Sequence, residues 1–452
     1  MSLKPKSVLI FTDYLIIASF LLLPHTFFGS LETSLFSNFK LQQVLVFSVP
    51  IILITMRIVY GRSTFHLPVI RMNIKYFLFI AYGLFMAGFY SSEFSYESLK
   101  FYIIDLYWMT LVLLFLSISN KNPVYYINLV RLFFVHIAIL GLVFYLLYGV
   151  LGFRNVFFTI HPQTLTGSYD FVSGLSIHHS NSPWFSNLVP RYTFYFQEPR
   201  IIGARLPLAL FLQIGFIKNF KAEKRKMGIW PWVGLFALIL SMFIIHSIWG
   251  YVSLLLSLVF LCMTEISKAN GLMYKTIFYV LLLSIIGFST IITYNKISKG
   301  TEKQVVNPIV LKTLGNKMTL EHQHKISSDM NHFSEFILNL YEFPLGSGLI
   351  PKKREFYLEK FDIDVGGGIG YIHYLVIHAG IFGILFLVYI ISRCVKMLKL
   401  TKRYGDVYLS YFAIMVLYCI LSSLVGNWLY FSPTLFLFLF LTELSVFRIE
   451  RT

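Results

Sequence analysis

Residues 369–392 read IGYIHYLVIHAGIFGILFLVYIIS, a stretch whose only ionisable side chains besides tyrosine are two histidines. An apolar run of this length matches the thickness of a bilayer, which needs about 17–25 such residues per helix. Working outward, further runs of the same kind lie near 8–28, 41–60, 73–90, 101–119, 128–152, 201–217, 230–247, 249–266, 275–294, 407–425 and 427–447. The expectation is therefore an all-α, polytopic integral membrane protein with about 12 transmembrane helices. Residues 1–452 form a single membrane domain. The composition agrees, with 57% hydrophobic and only 13% charged residues, and it excludes a soluble protein.

Lysine and arginine in the short connections set the orientation, because they are retained on the cytoplasmic side. With 12 spans, Lys4, Lys6, Arg57, Arg62, Arg71, Lys75, the 218–226 cluster, the 393–403 cluster, Arg448 and Arg451 all fall on one side. Both termini are then cytoplasmic, in a multi-pass protein of the plasma (inner) membrane. The first span reads as a retained signal anchor, since no small-residue cleavage site follows it. The net charge of +17 is largely this topological signal beside lipid headgroups, so no nucleic-acid partner is expected. Cys262, Cys394 and Cys419 lie in or beneath the spans and imply neither a disulfide framework nor a thiolate metal site.

Two connections are far longer than the usual 4–6 residues or so. Residues 153–200 and 295–368 both face outward in this topology. The first is rich in aromatic residues, His, Ser and Asn without helical periodicity, and reads as a folded cover. The second turns amphipathic over 318–341, where Phe333, Phe336, Ile337 and Leu340 recur at helical spacing, as in a helix lying on the outer leaflet. It ends in Pro344-Leu345-Gly346-Ser347-Gly348 and a glycine run, Gly366 to Gly368. No internal repeat is present.

Chemistry concentrates at the outer boundary. The stretch 191–205, RYTFYFQEPRIIGAR, places Arg191, Arg200 and Arg205 around Glu198 and Pro199 where the first long loop re-enters the membrane. Guanidinium groups stay charged and grip phosphate oxygens in pairs, which suits a diphosphate at the membrane surface. For Arg205 alone, snorkelling to the headgroups is an equal reading. Glu198 orients an arginine or accepts a proton from a sugar hydroxyl. Of the 12 histidines, His161, His178, His179, His322, His324, His332, His373 and His378 fall on the outer half. His373, at the point of re-entry, suits a general base; His378, about 140° further round a helix, should not share its face. The group Glu321, His322, His324, Asp329 and His332 has metal-binding residue types but no spacing of a closed site, so no metal and no cofactor are expected.

These features together resemble the Wzy-type polysaccharide polymerases of the O-antigen polymerase/ligase superfamily. The resemblance rests on Arg191-x-x-x-x-Phe196-x-Glu198-Pro199, on Ser247-x-x-Gly250-Tyr251, on Pro344 to Gly348, and on Asp364 to Gly383 with Gly370-Tyr371 and Gly380-x-x-Gly383. It implies oligosaccharide repeat units on undecaprenyl diphosphate as substrates, metal-independent glycosyl transfer on the outer face, and a chain-length regulator as a candidate partner alongside membrane lipid. Related O-antigen ligases carry a His-Asn pair near the closing span; here Tyr374 follows His373, which weakens the ligase alternative. A lipid-linked oligosaccharide flippase is the alternative from another class, against which stand the missing repeats and the absence of charges clearly placed at the midplane. The catalytic candidates are Arg191, Glu198, Arg200 and His373; the substrate-binding candidates are Arg205, His161, Tyr192, Asp364 and Tyr371. Tyr192, Phe194, Tyr195 and Trp184 suit either sugar stacking or interfacial anchoring.

Overall fold

A computed structural model describes residues 5–22, 41–61, 65–90, 96–119, 122–147, 151, 156–160, 168–172, 175–179, 191–192, 199–224, 226–244, 248–266, 340–341, 343–348, 371–422 and 433–451. The span expected at 275–294, most of the amphipathic segment 318–341, and His161, Glu198 and Asp364 lie outside the described residues.

The described helices are α1 (Pro5–Leu22), α2 (Leu41–Gly61), α3 (Leu67–Tyr90), α4 (Tyr96–Ser119), α5 (Pro123–Tyr145), α6 (Pro199–Ala222), α7 (Trp230–Ile244), α8 (Ile248–Ile266), α9 (Tyr371–Tyr404), α10 (Val407–Ser422) and α11 (Pro433–Arg451). Each falls on one of the expected apolar runs. By length and hydropathy four of them contain segments able to cross a bilayer: Leu67–Phe89, Tyr102–Ser119, Pro123–Val143 and Tyr374–Tyr404. Shorter apolar segments, Ser7–Leu22, Phe47–Gly61, Trp230–Phe243, Ser253–Cys262 and Val407–Ile420, accompany them. The molecule is a helical membrane protein.

Helix boundaries follow local chemistry. Asn122 caps α5, its side chain accepting from the Val124 amide at 3.1 Å, and Pro123 fills the first turn, where no amide hydrogen is needed. Asp406 caps α10 by accepting from the Leu409 amide at 3.0 Å. At the centre stands α11, buried continuously from Pro433 to Val446. Within that stretch only Thr434, Thr442, Glu443 and Ser445 are polar, as befits an enclosed helix. Peripheral helices instead turn large apolar side chains outward, among them Ile52, Val59, Leu78, Phe85, Trp230 and Leu385, as a lipid-facing surface does.

The helical architecture carries one addition within the first long loop. Four antiparallel strands, β1 (Val156–Ile160), β2 (Ser168–Val172), β3 (Leu175–His179) and β4 (Arg191–Tyr192), form one sheet in sequence order. The strands draw on β-branched and aromatic residues. In register, His178 pairs with Tyr169 on one side and Arg191 on the other.

The run 369–392, expected as one uninterrupted crossing, is broken. Gly380 takes φ 54° and ψ −127°, outside helical geometry. A Cβ built on Gly383 would overlap the Leu375 carbonyl. Residues eight apart in a straight helix are about 12 Å from each other, so the chain folds back sharply here. A short arm, 371–379, is thus set against a long arm, 381–404, that reaches about 36 Å and suffices to cross the bilayer alone.

Candidate active site

The ends of the bundle differ. One end, called the loop end, gathers the C-termini of α1 and α3 and the N-termini of α4, α6 and α11, together with the short arm of α9, so the chain that follows each long loop, at α6 and at α9, starts there. The other end carries the basic clusters.

At the loop end the turn 343–348 is seated in the break of α9. The Pro344 carbonyl accepts from the Ile381 amide at 2.9 Å, and the Ser347 amide donates to the Ile377 carbonyl at 3.0 Å. Tyr82 of α3 donates to the Leu345 carbonyl at 2.8 Å. Gly346 and Gly348 have positive φ and pack on Ala379 and Ala87 respectively. Gly380 also abuts the Pro344 carbonyl and the Gly346 amide, leaving no room for a side chain. Ser347 is fully buried beneath this turn.

Beneath the turn, α3, α4 and the short arm enclose a polar cluster. Tyr374 donates to Asp105 Oδ2 at 3.1 Å, and its ring stacks on His378 with centroids 5.2 Å apart. His378 is fully buried. Its Nε2 lies 3.0 Å from the Phe79 carbonyl, which can only accept, so Nε2 carries the hydrogen. A neutral ring then leaves Nδ1 as acceptor for the Tyr102 hydroxyl, at a longer 3.4 Å. The Phe79 carbonyl is reachable because the residue four positions on, over it in the helix, is Gly83; a Cβ there would overlap the imidazole. His378 is therefore a staple holding the short arm to α3, with both ring nitrogens engaged.

The sequence-derived candidates take the following places. Arg205 is 2% exposed and donates to the Leu21 carbonyl at 2.6 Å, one of the carbonyls left open in the last turn of α1. It does not snorkel outward; a guanidinium at a helix C-terminus satisfies that carbonyl and complements the macrodipole. Arg200 lies in the first turn of α6, and five residues at 1.5 Å each put its backbone about 7.5 Å nearer the loop end than Arg205. Arg191 and Tyr192 are on the edge strand β4. Tyr371 and His373 open the short arm of α9. The structure thus joins two stretches singled out in the sequence, 344–348 and 380–383, and sets His373 beside Tyr374 in the chain.

Sequence reasoning passed over Asp105, set His378 aside in favour of His373, and met Tyr374 only as the residue that follows His373. For Asp105 the signal was present: a single carboxylate inside the apolar run 101–119, where charge is costly and rarely idle. No group of three or more potential metal ligands occurs among the described residues, and the set Glu321, His322, His324, Asp329 and His332 lies outside them. No protein-family model matches the chain, and no curated protein or solved structure matches it either.

Proposed function

We propose that the chain is a multi-pass plasma-membrane glycosyltransferase that polymerises undecaprenyl-diphosphate-linked oligosaccharide repeats into a surface polysaccharide. The loop end is taken as the outer face, with 12 crossings and both termini in the cytoplasm. One observation carries the reading: the Pro344–Gly348 turn interlocks with the Gly380 break, so two separate stretches of the family resemblance form one unit beside a buried polar cluster.

The chemistry asked of such a site is modest. The lipid diphosphate is already a good leaving group, and positive charge on its departing oxygens is worth more than a general acid. Arg191 and Arg200 are the side chains for that task, without a metal. Arg205, engaged on α1, contributes by fixing the start of α6 beneath Arg200. The acceptor hydroxyl requires positioning and a proton acceptor, for which Glu198 and His373 are the sequence-derived candidates.

The test is to delete the gene, complement with wild type, Arg191→Ala or Arg200→Ala, and resolve the surface polysaccharide on a gel. Single-repeat material from the deletion and from both variants, at normal protein level, is the expected result. Full-length polymer left unattached or on its carrier would make the protein a ligase. Loss of all outward-facing lipid-linked repeats would make it a transporter.

A further inference from the structure

Among the described residues three carboxylates, Asp13, Asp105 and Glu443, are nearly or fully buried within the helices, and they are treated differently. Asp13 is held by Arg57 at 2.7 Å and by the Tyr125 hydroxyl at 2.9 Å. Glu443 is held by Lys75 at 2.9 Å, by Arg393 at 3.0 Å and by the Tyr389 hydroxyl at 2.8 Å. Asp105, 8% exposed, receives one hydrogen bond, from Tyr374, and no cation among the described residues. A buried carboxylate is ordinarily paired with a cation or heavily hydrogen-bonded, and one that is neither is a candidate for work in a reaction.

Its place fits such work. Phe20, adjacent to the Leu21 carbonyl that Arg205 holds, packs edge-on against Trp108 with centroids 6.5 Å apart. Trp108 is three residues from Asp105, about 4.5 Å along α4 toward the basic end. Asp105 and Arg200 are therefore both displaced toward the loop end from the same point of α1. From the other side Asp105 touches the short arm that begins with Tyr371 and His373.

Resting on the proposed function, we infer that Asp105 is the carboxylate that accepts the proton of the acceptor sugar hydroxyl, with Tyr374 as the residue that positions it. The hydroxyl oxygen forms its bond to the anomeric carbon of the lipid-linked donor sugar. The bond from that carbon to the diphosphate oxygen breaks, and its electron pair leaves with the polyprenyl diphosphate. The proton passes to Asp105 and from there to water, so the step balances without a further reactant. His378, with both nitrogens engaged, has no part in the transfer and serves as the surface on which the Tyr374 ring rests.

The experiment measures elongation of purified polyprenyl-diphosphate-linked repeats by the full-length protein in detergent, with donor concentration varied. Asp105→Asn keeps an oxygen for Tyr374 while removing the basicity; the expected result is a kcat lower by about 10²-fold to 10⁴-fold with the donor KM within about twofold. Tyr374→Phe keeps the ring on His378 and removes only the positioning bond, so a fall of about tenfold in kcat at unchanged KM is expected. Should Asp105→Asn fail to accumulate, the Tyr374→Phe split between kcat and KM decides. Either variant elongating at the wild-type rate overturns the assignment. Wild-type protein that fails to elongate overturns the function beneath it, and the inference with it.

Discussion

The basic end and the loop end of this bundle are held together by different means. At the basic end, side-chain charges meet: Arg57 with Asp13, and Lys75 and Arg393 with Glu443, each acidic partner no more than 2% exposed. At the loop end, backbone meets backbone: the 343–348 turn lies in the Gly380 break, and the short arm is stapled by an imidazole on a helix carbonyl. Charges buried as matched pairs fix helix positions but leave little free chemistry. The glycine-built junction packs backbone on backbone, and beside it stands one buried carboxylate with no cation among the described residues, a group still available for chemistry. Variants at the first end should therefore change how much folded protein is recovered. Variants at the second should change what each folded molecule does.

The largest stability effect is expected from Glu443→Ala. Removing one member of a buried ion pair costs about 3–5 kcal/mol, because the partner charge is left without compensation. Lys75 is a third exposed and can turn partly toward water, so the lower part of that range applies. Thermal unfolding in detergent should show the drop. The contrast is sharpened by Asp105→Asn, which strands no cation and should unfold within about 1 kcal/mol of wild type. Equal destabilisation by the two variants would erase the distinction between the ends.

Next comes Gly380→Ala. The observed φ of 54° with ψ of −127° belongs to glycine, and a side chain there would meet the Pro344 carbonyl. Backbone strain of this kind costs about 1–3 kcal/mol if retained, and the turn can escape it only by leaving its seat. The expected outcome is new protease sensitivity near 344–348 together with loss of polymer, with yield affected less than in Glu443→Ala. Gly83→Ala follows. It drives the His378 ring off the Phe79 carbonyl, with a penalty of about 1–3 kcal/mol for stranding a buried donor. Elongation should fall with it, since the Tyr374 ring loses its support.

How much of this was legible in the sequence depends on what carries each feature. The apolar runs were, since period and length are written in composition: α11 reads apolar from Leu435 to Leu441 and is enclosed, while α2 and α3 show lipid-facing residues. The strands of the first long loop were legible only as an absence of helical period, because segments of two to five residues leave little pattern. The break in α9 was hidden by the surrounding hydrophobicity. Gly380 and Gly383 look like ordinary membrane-helix glycines until the 344–348 turn, over 30 residues away, is laid against them. Arg205 was noticed for its charge, yet its acceptor is a backbone carbonyl of α1, which no side-chain pattern announces. His373 was preferred for its place at the point of re-entry, while His378, set apart only by its angle round the helix, has a structural duty that angles do not reveal.

The smallest effect is expected at Tyr82, and it is the finest test of the comparison. Its hydroxyl makes a 2.8 Å hydrogen bond to the Leu345 carbonyl from the accessible side of the turn. Tyr82→Phe removes that bond and leaves the ring against Phe382 in place. The net loss should be about 0.5–1.5 kcal/mol, toward the lower value because water can replace the phenol at an accessible carbonyl. A shift so small will barely move global unfolding. It should nevertheless raise hydrogen exchange at the Ile381 and Ser347 amides, which bond across the same junction, while leaving amides around the Glu443 cluster unchanged. Exchange that rises equally at both ends would mean that the turn and the ion cluster unfold as one unit, and the loop end would have no independent give. Exchange confined to the junction would show that the turn can loosen while the basic end stays fixed, as a site admitting a bulky lipid-linked sugar requires.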